Sequence, residues 1–300
     1  MASSPSQSDL VGVVQLTSTT DIKANLQACA TFAAQAARQG ARWLLFPENA
    51  PYLGRDRQKL DVAQSIEGSM VQAFQHIAHD HQCWVSLGSF PEKSPSPDHT
   101  YNTQVIVAPT GDVHAVYRKL HLFDIDLPDG GRLEESASIL PGATMVTTQV
   151  DMQQSWRVGL TICYDLRFPE LYRALRMQHQ VDVLTVPSAF TMQTGRAHWL
   201  ELLRARAIEN QCYVLASNQY GHHAPGRASF GHSVAFDPWG QMLACAPDRP
   251  GVFVAHLDKA VLQQIRTRMP TATHARSSAY DVPHEHHPRD CARPLPRLPQ

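Results

Sequence analysis

Three side chains in this sequence have the chemistry of an acyl-transfer centre: Glu48, Lys119 and Cys163. Each follows a short apolar run, so each is expected at the end of a strand. A thiol can attack a carbonyl carbon, a carboxylate can take its proton, and an ammonium can hold the oxyanion that forms. The set suits transfer from an amide or a nitrile through a thioester or thioimidate. Alone, each residue has a plainer reading. A free cysteine is usually a small buried hydrophobe, a glutamate after a strand is usually a solvated loop acid, and a lysine there is usually on the surface. No histidine is obviously placed to serve Cys163, and His121 is too near Lys119 in sequence to be assigned freely.

The elements that would position these groups can be read from periodicity. Around Cys163 the apolar run 158–162 predicts a strand buried on both faces, and Phe168-Pro169-Glu170 with Leu171 and Leu175 predicts a helix with proline in its first turn. A cysteine at that strand-to-helix elbow would point out of the sheet edge, where the helix's orphan N–H groups and dipole favour thiolate. Glu48 follows the strand 43–46 through Pro47, at the carboxyl end where open α/β sheets build sites. Lys119 follows the second strand of a hairpin, 101–108 and 113–117, joined at 109–112. Further strands are expected at 11–16, 83–88, 146–150, 181–186, 212–216, 229–236 and 252–257, with helices from Ile22 to about Gly40, at 69–81, around Leu200 to Ile208, and at 259–268. The stretch between Asp126 and Gly142, with Pro128-Asp129-Gly130-Gly131, reads as a long irregular loop of the functional kind. Strands alternating with helices throughout make this an α/β protein.

Composition bounds the partners. With 43% hydrophobic and 18% charged residues, the 300-residue chain is an ordinary globular one, read as a single domain over 10–270 between a flexible start, 1–9, and a weakly structured tail, 271–300. A formal net charge of −1 gives no footprint for nucleic acid or an anionic membrane, and no apolar run approaches the roughly 20 residues of a membrane span. Residues 1–10 lack a signal-peptide pattern, and six cysteines (29, 83, 163, 212, 245, 291) without paired spacing suit reduced thiols in a cytoplasm. Sixteen histidines show no HExxH spacing, and His284, His286 and His287 cluster in the tail, so neither a metal nor a cofactor is expected.

Three stretches taken together resemble the signatures of the nitrilase superfamily of carbon–nitrogen hydrolases: Phe46-Pro47-Glu48, the segment 117–123 around Lys119, and 159–170 around Cys163. The resemblance covers roughly residues 9–270. It implies a single-domain α-β-β-α sandwich that dimerises through the elbow helices into a four-layer α-β-β-α:α-β-β-α assembly. It also implies a Glu48–Lys119–Cys163 triad, with the family's second glutamate at Glu135 orienting the lysine and the substrate amide. The backbone N–H of Tyr164 would share the oxyanion with Lys119, and a lysine between two carboxylates should stay charged.

Later segments narrow the branch. The stretches 187–199 and 203–214 are similar to amidases of α-keto-acid ω-amides, while 227–233, Asp237-Pro238-Trp239-Gly240 and Cys212 look more like amidases of deaminated glutathione. The implied reaction is cofactor-free hydrolysis of that keto compound to 2-oxoglutarate and cysteinylglycine, a metabolite repair. The alternatives are an ω-amidase for 2-oxoglutaramate or 2-oxosuccinamate, a broader aliphatic amidase, and a binding protein without turnover. A 2-oxoglutaryl group carries a carboxylate, which Arg167 could meet with a bidentate fork, with Thr194 adding a hydroxyl. A structural pairing of Arg167 with Asp165 or Glu170 is the competing reading. Arg196 stands where this branch usually has proline, which bears on substrate preference and not on the triad.

Overall fold

The computed structural model describes residues 8–55, 57–126, 132–224, 226–276 and 279. Its buried apolar runs pair into two sheets. In the first, Asp9–Gln15, Trp43–Leu45 and Trp84–Lys93 run parallel, with antiparallel Gly251–Leu257 beyond one side and the hairpin of Thr100–Val107 and Val113–Arg118 beyond the other. In the second, Ser155–Leu160, Val183–Thr185 and Tyr213–Ala216 run parallel between Thr147–Asp151 and the pair Val234–Phe236 and Met242–Cys245. Parallel neighbours need crossover connections, and helices supply them.

Side-chain alternation along the strands sets the layers. Trp43 and Leu45 pack towards the second sheet while Leu44 packs under helices; Val183 faces the first sheet while Leu184 faces outward. The helices Ile22–Arg38 and Ser69–His81 cover the first sheet, and Pro169–His179 and Met192–Asn210 cover the second. The result is the expected α-β-β-α sandwich, with a central core containing Trp43, Trp84, Trp156, Tyr117 and Tyr213. Asp21 caps the first helix by accepting from Ala24 N at 3.0 Å.

Four local expectations change. The run 229–236 is two strands, Arg227–Phe230 and Val234–Phe236, because Gly231 (φ 76°) and His232 (φ 56°) turn the chain between them. The stretch 126–142 is not structureless: Asp124–Asp126 pairs with Arg132–Glu134, and a 3₁₀ turn, Glu135–Ala137, follows. Residues 128–131 of that reading, Cys291 and the histidines at 284, 286 and 287 lie outside the described residues. A short helix, Gln58–Val62, lies in a stretch with no sequence assignment. Finally, Cys163 does not open the elbow helix. It begins a 3₁₀ turn, Cys163–Arg167, and the helix starts at Pro169.

Candidate active site

Glu48, Lys119 and Glu135 come from three separate elements and meet in the interior, at 4%, 2% and 7% exposure. Lys119 Nζ donates to Glu48 Oε1 at 3.2 Å and to Glu135 Oε1 and Oε2 at 3.0 and 2.8 Å. Glycines let the backbones that deliver two of them pass closely. A Cβ on Gly88 would lie 2.0 Å from Phe46 O, just before Glu48, and one on Gly142 would lie 2.2 Å from Arg118 O, just before Lys119. Glu135 is held by its turn, its Oε2 accepting from Phe123 N at 2.7 Å.

Cys163 adjoins this cluster, close enough to Glu48 and Lys119 for both charges to act on its thiol. Its backbone is left-handed (φ 48°), a conformation rare outside glycine, and its N–H donates to Pro187 O at 2.9 Å. The residue as a whole is half-buried, less enclosed than Glu48 and Lys119. The Asp165 amide is bonded back to Ile162 O at 3.0 Å, so the Tyr164 N–H precedes the first internally bonded amide of the turn.

The turn is fastened by Asp165, which is fully buried. Its carboxylate accepts from Ile162 N (2.8 Å), Tyr117 Oη (2.7 Å), His121 N (3.1 Å) and His121 Nδ1 (2.7 Å). Tyr117 and His121 stand two residues before and two after Lys119, so one side chain ties the lysine segment to the cysteine turn.

Electrostatics follow from burial and these contacts. Burial pushes the Cys163 thiol well above its ordinary range and the Glu48 charge adds to this, with Lys119 opposing. This corrects the expectation of a helix-favoured thiolate, because the helix begins six residues further on. Burial also acts to raise Glu48, but Lys119, Lys59 and hydrogen bonds from Cys163 and Asn102 outweigh it and hold the carboxyl below its usual value. For Lys119, burial opposes the charge, and Glu135 and Glu48 more than restore it. The cluster therefore rests as thiol, carboxylate and ammonium.

Arg167 ends the 3₁₀ turn, with its guanidinium over the rings of Tyr164 and Phe190 at 5.9 and 5.6 Å and both terminal nitrogens 3.4 Å from His198 Nδ1. Among the described residues it has no ion pair with Asp165 or Glu170. Thr194 lies in the first turn of Met192–Asn210, where its hydroxyl bonds Thr191 Oγ1 at 2.8 Å. Arg196 is exposed on that turn. Asn102, Lys59 and Asp165 carry no local signal for a site role: Asn102 sits in an ordinary alternating strand, and only pairing across the sheet brings it to the carboxylates. Among the described residues no group of three or more His, Cys, Asp or Glu is placed to hold a metal ion.

Known proteins align with this arrangement. The family model "Carbon-nitrogen hydrolase" matches residues 10–267. The chain is 41% identical over 283 residues to the deaminated glutathione amidase of Bos taurus, covering 93% of this chain and 85% of that protein. The Caenorhabditis elegans NitFhit protein superimposes with a TM-score of 0.84 at 38% identity, over 91% of this chain and 66% of that longer one. An amidase of Nesterenkonia sp. AN1, in a variant showing covalent addition of the acetamide moiety of fluoroacetamide at its active-site cysteine, gives 0.71 at 28% identity, over 88% and 95%. With its two-sheet sandwich and with this match over most of its length, the chain belongs to the carbon–nitrogen hydrolase family of the nitrilase superfamily.

Proposed function

We propose that this enzyme hydrolyses deaminated glutathione to 2-oxoglutarate and cysteinylglycine, with Cys163 as nucleophile. The observation that carries the reading is the buried Glu48–Lys119–Glu135 cluster with Cys163 beside its first carboxylate. Because the sulfur rests as a thiol, Glu48 acts as general base during attack: it takes the proton as the S–C bond forms and passes it to the departing amine. Lys119 and the Tyr164 N–H receive the oxyanion, each such donor being worth about 3 to 4 kcal/mol in the transition state. Glu48 then activates water to hydrolyse the thioester. Identity to deaminated glutathione amidases supports the substrate, and Arg167, stacked by aromatic rings and free of Asp165, supplies a cation for the 2-oxoglutaryl carboxylate. Thr194 adds a hydroxyl to the same reading, one it shares with Thr191 in the structure.

Incubation with deaminated glutathione followed by peptide mass spectrometry tests this. A 2-oxoglutaryl adduct on the Cys163 peptide is expected; an unmodified Cys163 with continuing turnover, or full activity of Cys163→Ala, would sink it. Faster turnover of 2-oxoglutaramate would reassign the enzyme as an ω-amidase with the same chemistry. The assembly belongs to the same reading: two copies pair through the face built from Pro169–His179 and Met192–Asn210, where Ile208 and, beside it, Trp239 are 45% and 60% exposed.

A further inference from the structure

The side-chain amide of Asn102 holds a place that the reaction above does not use. Its Nδ2 donates to Glu48 Oε1 at 2.8 Å and to Glu135 Oε1 at 3.3 Å, so one NH₂ group spans the two carboxylates flanking Lys119. Chemistry fixes this orientation, because with carboxylate oxygens on both sides only the NH₂ end can face them. Asn102 is 2% exposed, and its main-chain carbonyl accepts from Lys119 N at 2.9 Å. The residue thus grips the lysine through its main chain and both acids through its side chain.

The two oxygens of Glu48 are consequently unlike. Oε1 carries Asn102 and Lys119, while Oε2 takes the Ala189 amide at 2.8 Å, and Ala189 is also among the groups acting on the Cys163 thiol. We infer that Asn102 is a positioning residue that locks the rotation of the Glu48 carboxylate, spending Oε1 on the lysine side and presenting Oε2 to the thiol. The inference rests on the hydrolase reading of the site. Without the Asn102 donor, Glu48 would lose a bond that favours its charged form and would be free to turn.

Wild type, Asn102→Ala and Asn102→Asp are compared for cysteinylglycine release from deaminated glutathione over a full pH profile. In Asn102→Ala, kcat is expected to fall about 10- to 100-fold with KM within about twofold, and the acid limb of kcat/KM to move up by about one pH unit. Asn102→Asp keeps the shape but sets a third carboxylate against two, and should move the limb further. Should the alanine variant not fold, the aspartate variant decides by the same limb. An acid limb at the wild-type position, whatever the loss of kcat, assigns Asn102 to scaffolding and overturns the inference; so does a wild-type kcat. Absence of the acyl adduct in the wild type would sink the hydrolase reading instead.

Discussion

Lys119 is a buried cation bonded to two carboxylates, and its removal leaves them facing each other with only the charge of Lys59 still acting on Glu48. Breaking such an arrangement from one side costs about 3 to 5 kcal/mol. Lys119→Met is therefore expected to lower both turnover and unfolding free energy by denaturant titration, whereas a purely catalytic lysine would leave stability unchanged. A second residue-scale consequence concerns His223, 7% exposed, whose Nδ1–H donates to Ser18 O at 2.8 Å while Nε2 accepts from Ser229 Oγ at 2.9 Å. Burial pushes this imidazole down from 6.5 to about 4. The unfolded chain then binds the proton first, so the stability that neutral His223 contributes is complete above about 6.5 and is lost as pH falls towards about 4. The loss is on the order of 3 kcal/mol. His223→Gln should flatten the pH dependence of the denaturation midpoint across that window, and equal slopes in the two proteins would refute the assignment.

The two close-approach glycines show how elements reach the site. An added methyl at Gly88 meets backbone and not a flexible side chain, so the strand Trp84–Lys93 or the Phe46–Pro47 segment must shift. Gly88→Ala is expected to cost about 1 to 3 kcal/mol and to cut kcat by displacing Glu48, measured by melting temperature and steady-state kinetics; Gly142→Ala should act likewise through Lys119. The strands and helices around these points were largely readable. The helix Ser69–His81 and the hairpin carrying Lys119 stand out because apolar residues recur at 3.6 and 2. Glu48, Lys119 and Cys163 were legible because each follows an apolar run within a recognisable motif. Asn102 and Asp165 were not, because their partners are 54 and 48 residues away and depend on strand order. The 3₁₀ turn after Cys163 was missed because proline at position 169 marks a helix start without showing that an irregular turn precedes it.

For the whole molecule, the outer helices of the second sheet expose mostly polar and charged side chains, with Ile208 as their one exposed large hydrophobic residue. Met269, Trp239 and Ile265 line a hollow beside Ile208. Sedimentation should show a dimer, and Ile208→Glu combined with Trp239→Glu should shift it to monomer with the fold retained; a wild-type monomer at micromolar concentration would refute the pairing. No described helix is long and apolar enough to cross a membrane. The Asp165 fastening also separates what can be altered from what cannot. Tyr117, His121 and Asp165 act as one rivet, so a substitution at any of them drags the ammonium and the sulfur together, while Arg167, Phe190 and Thr194 stand outside that joint. A campaign to retune this catalyst for other amides can therefore start at Arg167 and Thr194, whereas Phe190 is packed in the core against Trp199 and next to the Ala189 amide that holds Glu48.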